Sequence, residues 1–178
     1  SQLFEHQIFI NTEYSGGIFA TTTMLGTRPG GSVAAAWAGL QYLGQTGYLK
    51  NAQAMLEATG QLRTGLEAIP ELKIVGKPCM NMLAFSTKHN RPDIYAVADF
   101  LEQKGWVVDR QQLPPSIHLT VFPYNIPAIP QYLTDLLEAI EWAKNHPEAT
   151  GSGNAALYGL MARIPLRGMV KDNVRKVF

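Results

Sequence analysis

The rhythm of apolar residues changes at Pro70, and no other feature constrains the possible folds as tightly. From Val33 to Ala68 apolar side chains recur at helical spacing. Trp37, Leu40 and Leu43 come first, then Leu49, Ala52, Leu56, Leu62, Leu66 and Ile69 along one face, with Gly44 to Gly47 between the two runs. Beyond Pro70 the runs are short and β-prone. Leu72–Val75, Met82–Thr87, Trp106–Val108 and Ile117–Val121 read as strands, the last two joined through Leu113-Pro114-Pro115. Two amphipathic helices alternate with them, at about 92–104 and 131–145, the first ended by Gly105. Strand, strand, helix, strand, strand, helix predicts an α+β layer from about 70 to 146: a mainly antiparallel sheet covered by helices on one face.

The first 30 residues do not share that rhythm. Gln7–Ile10 and Ile18–Thr23 are strand-like, separated by Ser15-Gly16-Gly17, and a loop, Gly26-Thr27-Arg28-Pro29-Gly30-Gly31, leads into the first helix with Ser32 as its expected N-cap. The fold class is therefore α/β in the broad sense, with an α+β C-terminal domain. Residues 1–46 are expected to close a preceding domain and begin the connecting helices, and 47–178 to form a small domain.

Several function classes lack support. A hydrophobic fraction of 46% with 16% charged residues describes a folded globular chain. A net charge of +1 gives no electrostatic case for nucleic acid. No apolar run approaches the roughly 20 residues of a membrane span, and the start, Ser1-Gln2-Leu3-Phe4, lacks the pattern of a signal peptide. It reads like the middle of a longer chain. The single cysteine, Cys79, excludes an internal disulfide, permits a reducing compartment such as the cytoplasm, and reads as a small apolar side chain. His6, His89, His118 and His146 are too dispersed for a metal cluster, and no Gly-x-Ser-x-Gly occurs. His118, in an apolar strand pattern, reads as structural.

The loop at 26–31 carries the most chemistry. Glycines admit a ligand close to the backbone, Thr27 brings a hydroxyl, Arg28 brings a fixed positive charge, and the positive end of a helix dipole follows. That set suits a phosphate. It also suits a plain turn before a helix, and the residues alone leave both readings open.

Taken together, these phrases resemble the sphingosine-1-phosphate lyases. Gly16-Gly17-Ile18-Phe19-Ala20 followed by Gly26-Thr27-Arg28-Pro29-Gly30-Gly31 is similar to the family's Gly-Gly-Ile/Leu-Tyr and Gly-Ser-Arg-Pro-Gly-Gly. In register follow Ala36-Trp37-Ala38, Gly47-Tyr48, Asp93-Ile94-Tyr95, Lys104-Gly105-Trp106, Pro114-Pro115-Ser116-Ile117-His118 and Tyr158-Gly159-Leu160. The resemblance implies the C-terminal part of a fold-type-I, group II decarboxylase-like enzyme that uses pyridoxal 5'-phosphate. It implies a homodimer sharing its cofactor sites across the interface, and retro-aldol cleavage of a phosphorylated sphingoid base to a fatty aldehyde and phosphoethanolamine. The family's Schiff-base lysine sits in a His-Lys-Tyr-Gly phrase that this sequence lacks, so the chain alone is expected to be catalytically incomplete. Gly26 and Thr27 match the pair that reaches the partner's cofactor phosphate, with Arg28 beside them. Phe19 stands where relatives place a tyrosine, which leaves it pocket-lining without a proton to transfer. No catalytic role is implied for His118 or Tyr158. The rival readings are an amino-acid decarboxylase of the same superfamily and a non-catalytic interaction domain.

Overall fold

The computed structural model describes residues 5–11, 19–23 and 25–151. The chain divides into two compact units, Ser1–Tyr48 and Leu49–Phe178.

In the first unit a 3-10 turn, Glu5–Gln7, precedes strand β1 (Phe9–Asn11), which pairs antiparallel with β2 (Phe19–Thr21). Helix α1 (Gly30–Glu67) starts here and continues into the second unit. It begins directly after Pro29, so Ser32 lies inside the first turn and is not the N-cap its residue type suggested. Only Gly44 leaves helical geometry, at φ 57 and ψ −177, whereas Gly47 remains helical. The expected interruption over 44–47 thus narrows to the one residue that adopts a left-handed φ. None of the described residues of this unit is buried. Val33, Trp37 and Leu40, at i, i+4 and i+7, are all more than half exposed.

The second unit carries the core. The sheet is β3 (Leu72–Val75), β4 (Met82–Thr87), β5 (Asp109–Gln112) and β6 (Pro115–Thr120), in spatial order β3-β4-β6-β5 and antiparallel throughout. Helices α2 (Ile94–Gln103) and α3 (Ile129–Asn145) pack with it. Alternation explains the packing, because Leu83, Phe85 and Ile117 share the face that meets Val97, Leu101 and Leu136. The sequence expectation of an α+β layer holds. The α1 face is buried only from Ala58 onward. Leu49 and Leu56, expected on the same face, are 62% and 48% exposed.

One strand is displaced from its expected place. Trp106–Val108 is not a strand, because the end of α2 takes up its first amide. Gly105 turns left-handed at φ 92, and the Trp106 N–H reaches back to the Leu101 carbonyl at 3.1 Å. The indole N–H donates to Asp135 at 2.9 Å. Pairing with β6 therefore starts at Asp109, on a polar run, Asp-Arg-Gln-Gln, that shows no apolar alternation.

An exposed clamp joins the start of β3 to the end of α3. The Lys144 ammonium lies 3.0 Å from Glu71. The hydrogen bond from Lys144, followed by one to the backbone, holds the Glu71 carboxyl below its ordinary range against a small desolvation cost. A depressed carboxyl contributes stability above its unfolded pKa, lost as pH falls through the lower folded value. Lys144→Met is expected to return the Glu71 titration toward the ordinary carboxylate range. NMR titration of the side-chain carboxyl checks it, and an unmoved midpoint would sink this account.

Candidate functional sites

The first candidate is the loop ahead of α1. Thr21 and Thr23 organise its approach from β2. The Thr23 N–H donates to the Thr21 hydroxyl at 3.1 Å, and the Thr23 hydroxyl donates to the Leu25 carbonyl at 2.8 Å. Gly26, Thr27 and Arg28 follow in non-helical backbone, all exposed. A Cβ added at Gly26, Gly30 or Gly31 would meet nothing within 4 Å, so the chain's own atoms do not require glycine there. The first turn of α1 carries no acidic side chain, so the positive end of its dipole and the Arg28 charge stand unneutralised by this helix. An exposed hydroxyl, an exposed guanidinium and a helix start next to one another are of the chemical types that suit the phosphate of pyridoxal 5'-phosphate. The Phe19 backbone lies in β2 opposite Asn11, but its side chain lies outside the described residues, as do Gly16-Gly17-Ile18 and Tyr158.

The second candidate was not legible as a site in sequence. A cleft of about 530 Å³ opens in the second unit between the start of β5, the end of β6 and the beginning of α3. Trp106 and Tyr132 meet edge to face with centroids 5.1 Å apart, and Phe122 and Tyr124 stack at 5.5 Å and 10°. The rim is tied down. The Phe122 N–H donates to the Asn125 side-chain oxygen at 2.8 Å, and the Asn125 amide donates to the Thr120 carbonyl at 3.0 Å. The Tyr132 hydroxyl is buried and has no hydrogen-bond partner among the described residues, and burial holds it above the usual phenol range. His118, read from sequence as structural, sits on this cleft with its Nδ1 4.0 Å from Asp109, its cross-strand neighbour. Asp109 itself is largely exposed, its side chain 78% accessible.

Among the described residues no group of His, Cys, Asp and Glu is placed to hold a metal ion, and no helix is long and apolar enough to cross a membrane. Cys79, read from sequence as a small apolar side chain, is exposed.

No family model matches the chain. A sphingosine-1-phosphate lyase of Arabidopsis thaliana is 39% identical over 171 residues, which is 96% of this chain and 31% of that protein. A probable L-tyrosine/L-aspartate decarboxylase of Methanothermobacter thermautotrophicus is 36% identical, but over 103 residues, 58% of this chain. Among solved structures, a sphingosine-1-phosphate lyase of Burkholderia pseudomallei matches with a TM-score of 0.69 and 34% identity, over 85% of this chain and 34% of that one. A glutamate decarboxylase of Lactobacillus brevis, 16% identical with a TM-score of 0.62 over 79% of this chain and 34% of that one, shares the fold. The chain spans about a third of the length of the curated relatives it matches.

Proposed function

The chain belongs to the sphingosine-1-phosphate lyase family, and from that premise we propose that it is the C-terminal part of a carbon–carbon lyase that uses pyridoxal 5'-phosphate. Its substrate is a phosphorylated sphingoid base, released as a fatty aldehyde and phosphoethanolamine. The observation that carries the proposal is the lyase match across 96% of the chain, against 58% for the decarboxylase. Residues 1–46 are the end of the large cofactor-binding domain and the start of the connecting helix, and 47–178 are the small domain.

The exposed loop has a defined task in this reading. Gly26 offers its backbone and Thr27 its hydroxyl to the cofactor phosphate of a partner subunit, while Arg28 adds positive charge beside them. The cofactor, when bound, supplies the electron sink for the cleavage. The lysine that anchors it lies outside this sequence, so the chain contributes phosphate binding and pocket walls and needs the rest of the enzyme for turnover. The apolar side chains left uncovered on α1, Val33, Trp37 and Leu40, support a unit that is completed by other protein surface. Homodimerisation across that loop supplies both the covering surface and the shared site.

Incubating the complete protein with sphingosine 1-phosphate and pyridoxal 5'-phosphate is expected to release aldehyde and phosphoethanolamine in equal amounts. Carbon dioxide from an amino acid with no aldehyde would identify a decarboxylase instead. No turnover of either substrate by a cofactor-loaded dimer would leave only an interaction domain.

Phe19 lines the substrate pocket and shapes it without exchanging protons. Phe19→Tyr is expected to leave cofactor occupancy unchanged while altering kcat, because the added hydroxyl brings a proton donor at little cost in volume. A lower melting temperature with unaltered turnover per folded molecule would mean that Phe19 is packing only, an unpartnered buried hydroxyl costing about 1–3 kcal/mol.

A further inference from the structure

The aromatic cleft of the second unit has no part in the lyase reading above, and its chemistry is selective. Trp106, Phe122, Tyr124 and Tyr132 present ring surface to one space of about 530 Å³, within the usual range for a small-molecule site. The charged groups on its lining are few. Asp109 is a carboxylate, His118 is the other titratable group beside the Tyr132 and Tyr124 phenols, and among the described residues no lysine or arginine lines it. Aromatic faces attract cations through their quadrupole, and an exposed carboxylate at the rim adds a second attraction of the same sign. We infer that this cleft binds an organic ammonium ion with an apolar body, with the aromatic walls holding the body and Asp109 at the cationic end.

The walls are preorganised for such a guest. The Asn125 bonds fix the Thr120–Phe122 turn, and Asn81 fastens it from the other side. The Val121 N–H donates to the Asn81 carbonyl at 2.7 Å, and the Asn81 amide donates to the Val121 carbonyl at 2.9 Å. On the opposite wall the Trp106 indole is pinned by Asp135, which also accepts from Gln131 at 3.1 Å. The turn backbone and the Trp106 indole have little freedom left to lose on binding, which favours even a small ligand. An anionic guest would meet Asp109 with no compensating cation on the lining among the described residues. A neutral one would leave Asp109 without a role. Charge complementarity selects the ammonium.

The probe is benzyltrimethylammonium, with benzyl alcohol as its neutral counterpart. A quaternary nitrogen cannot condense with an aldehyde cofactor, so this experiment stands or falls apart from the lyase reading. Binding to the complete protein is followed by tryptophan fluorescence and ligand-observed NMR. The ammonium is expected to bind several-fold more tightly than the alcohol. Asp109→Asn, at an exposed position, is expected to weaken the ammonium roughly threefold to tenfold and leave the alcohol unchanged. Tyr124→Leu, which keeps apolar surface at an exposed position, is expected to do the same. Equal affinity for the two probes, an ammonium indifferent to both substitutions, or no binding of either would each overturn the proposal.

Discussion

Thr27→Val in the complete protein is expected to weaken pyridoxal 5'-phosphate binding by roughly tenfold to a hundredfold. The two side chains have nearly the same shape, so the change removes one hydroxyl and little else. A hydrogen bond to a charged acceptor contributes about 1.5–3 kcal/mol, and each 1.4 kcal/mol is about a factor of ten in affinity. Thr27→Ser keeps the hydroxyl and is expected to bind as the parent does. Because Thr27 is exposed in the loop before α1, neither change is expected to lower the melting temperature of the cofactor-free protein. Titrating cofactor into that form by absorbance gives the affinities. If valine and serine bind alike, Thr27 does not touch the phosphate. If both variants also melt early, the loop is structural and the fit described above is a coincidence of composition.

The sequence was most informative where local patterning and burial agree. The short β-prone runs within Met82–Thr87 and Pro115–Thr120 mark central strands that share the core with α2 and α3, and the helical periodicities of 94–103 and 129–145 reflect the same core. It was misleading where the governing interaction lies elsewhere in the chain. Trp106–Val108 has strand composition, yet Gly105 and the α2 carbonyls claim the Trp106 amide before any sheet can. Leu49 and Leu56 keep helical spacing but lie exposed, so periodicity identified the face without fixing where its burial begins. Of the two candidate sites, the loop at 26–31 could be singled out in the sequence because the residue types that suit a phosphate are contiguous there: glycine, hydroxyl, charge and helix start. The aromatic cleft was not, since Trp106, Asp109, His118, Phe122 and Tyr132 come together only through the β5–β6 pairing and the entry to α3. The place of His118 on the cleft was not legible, because its neighbour across the ladder, Asp109, belongs to a strand that patterning missed.

That missed strand rests on Arg110, which supports the largest stability prediction. The side chain is only 4% exposed, and on α2 it meets Asp99 at 2.6 Å together with Glu102. Burial works against the guanidinium charge, yet the hydrogen bonds with Glu102 and then Asp99 outweigh it, so its pKa lies above the ordinary value. An edge strand of polar residues has little apolar surface to hold it. The ion pairs tie β5 to α2, and the Tyr95 hydroxyl adds a bond to the Gln111 carbonyl at 2.7 Å. Arg110→Ala removes the pairing and the packed aliphatic stem together, and is expected to cost about 3–5 kcal/mol, as for a broken buried pair. Arg110→Met restores most of the stem. Asp99 and Glu102 are themselves 19% and 35% exposed, so they can turn toward water, and methionine is expected to recover at least half of the loss. Hydrogen exchange adds a local readout, because the backbone amides of Arg110–Gln112 should lose protection in the alanine variant before those of β4. If alanine and methionine destabilise equally, the charge pairing alone holds β5. If neither does so measurably, the strand is held by its ladder with β6, and Arg110 only satisfies itself.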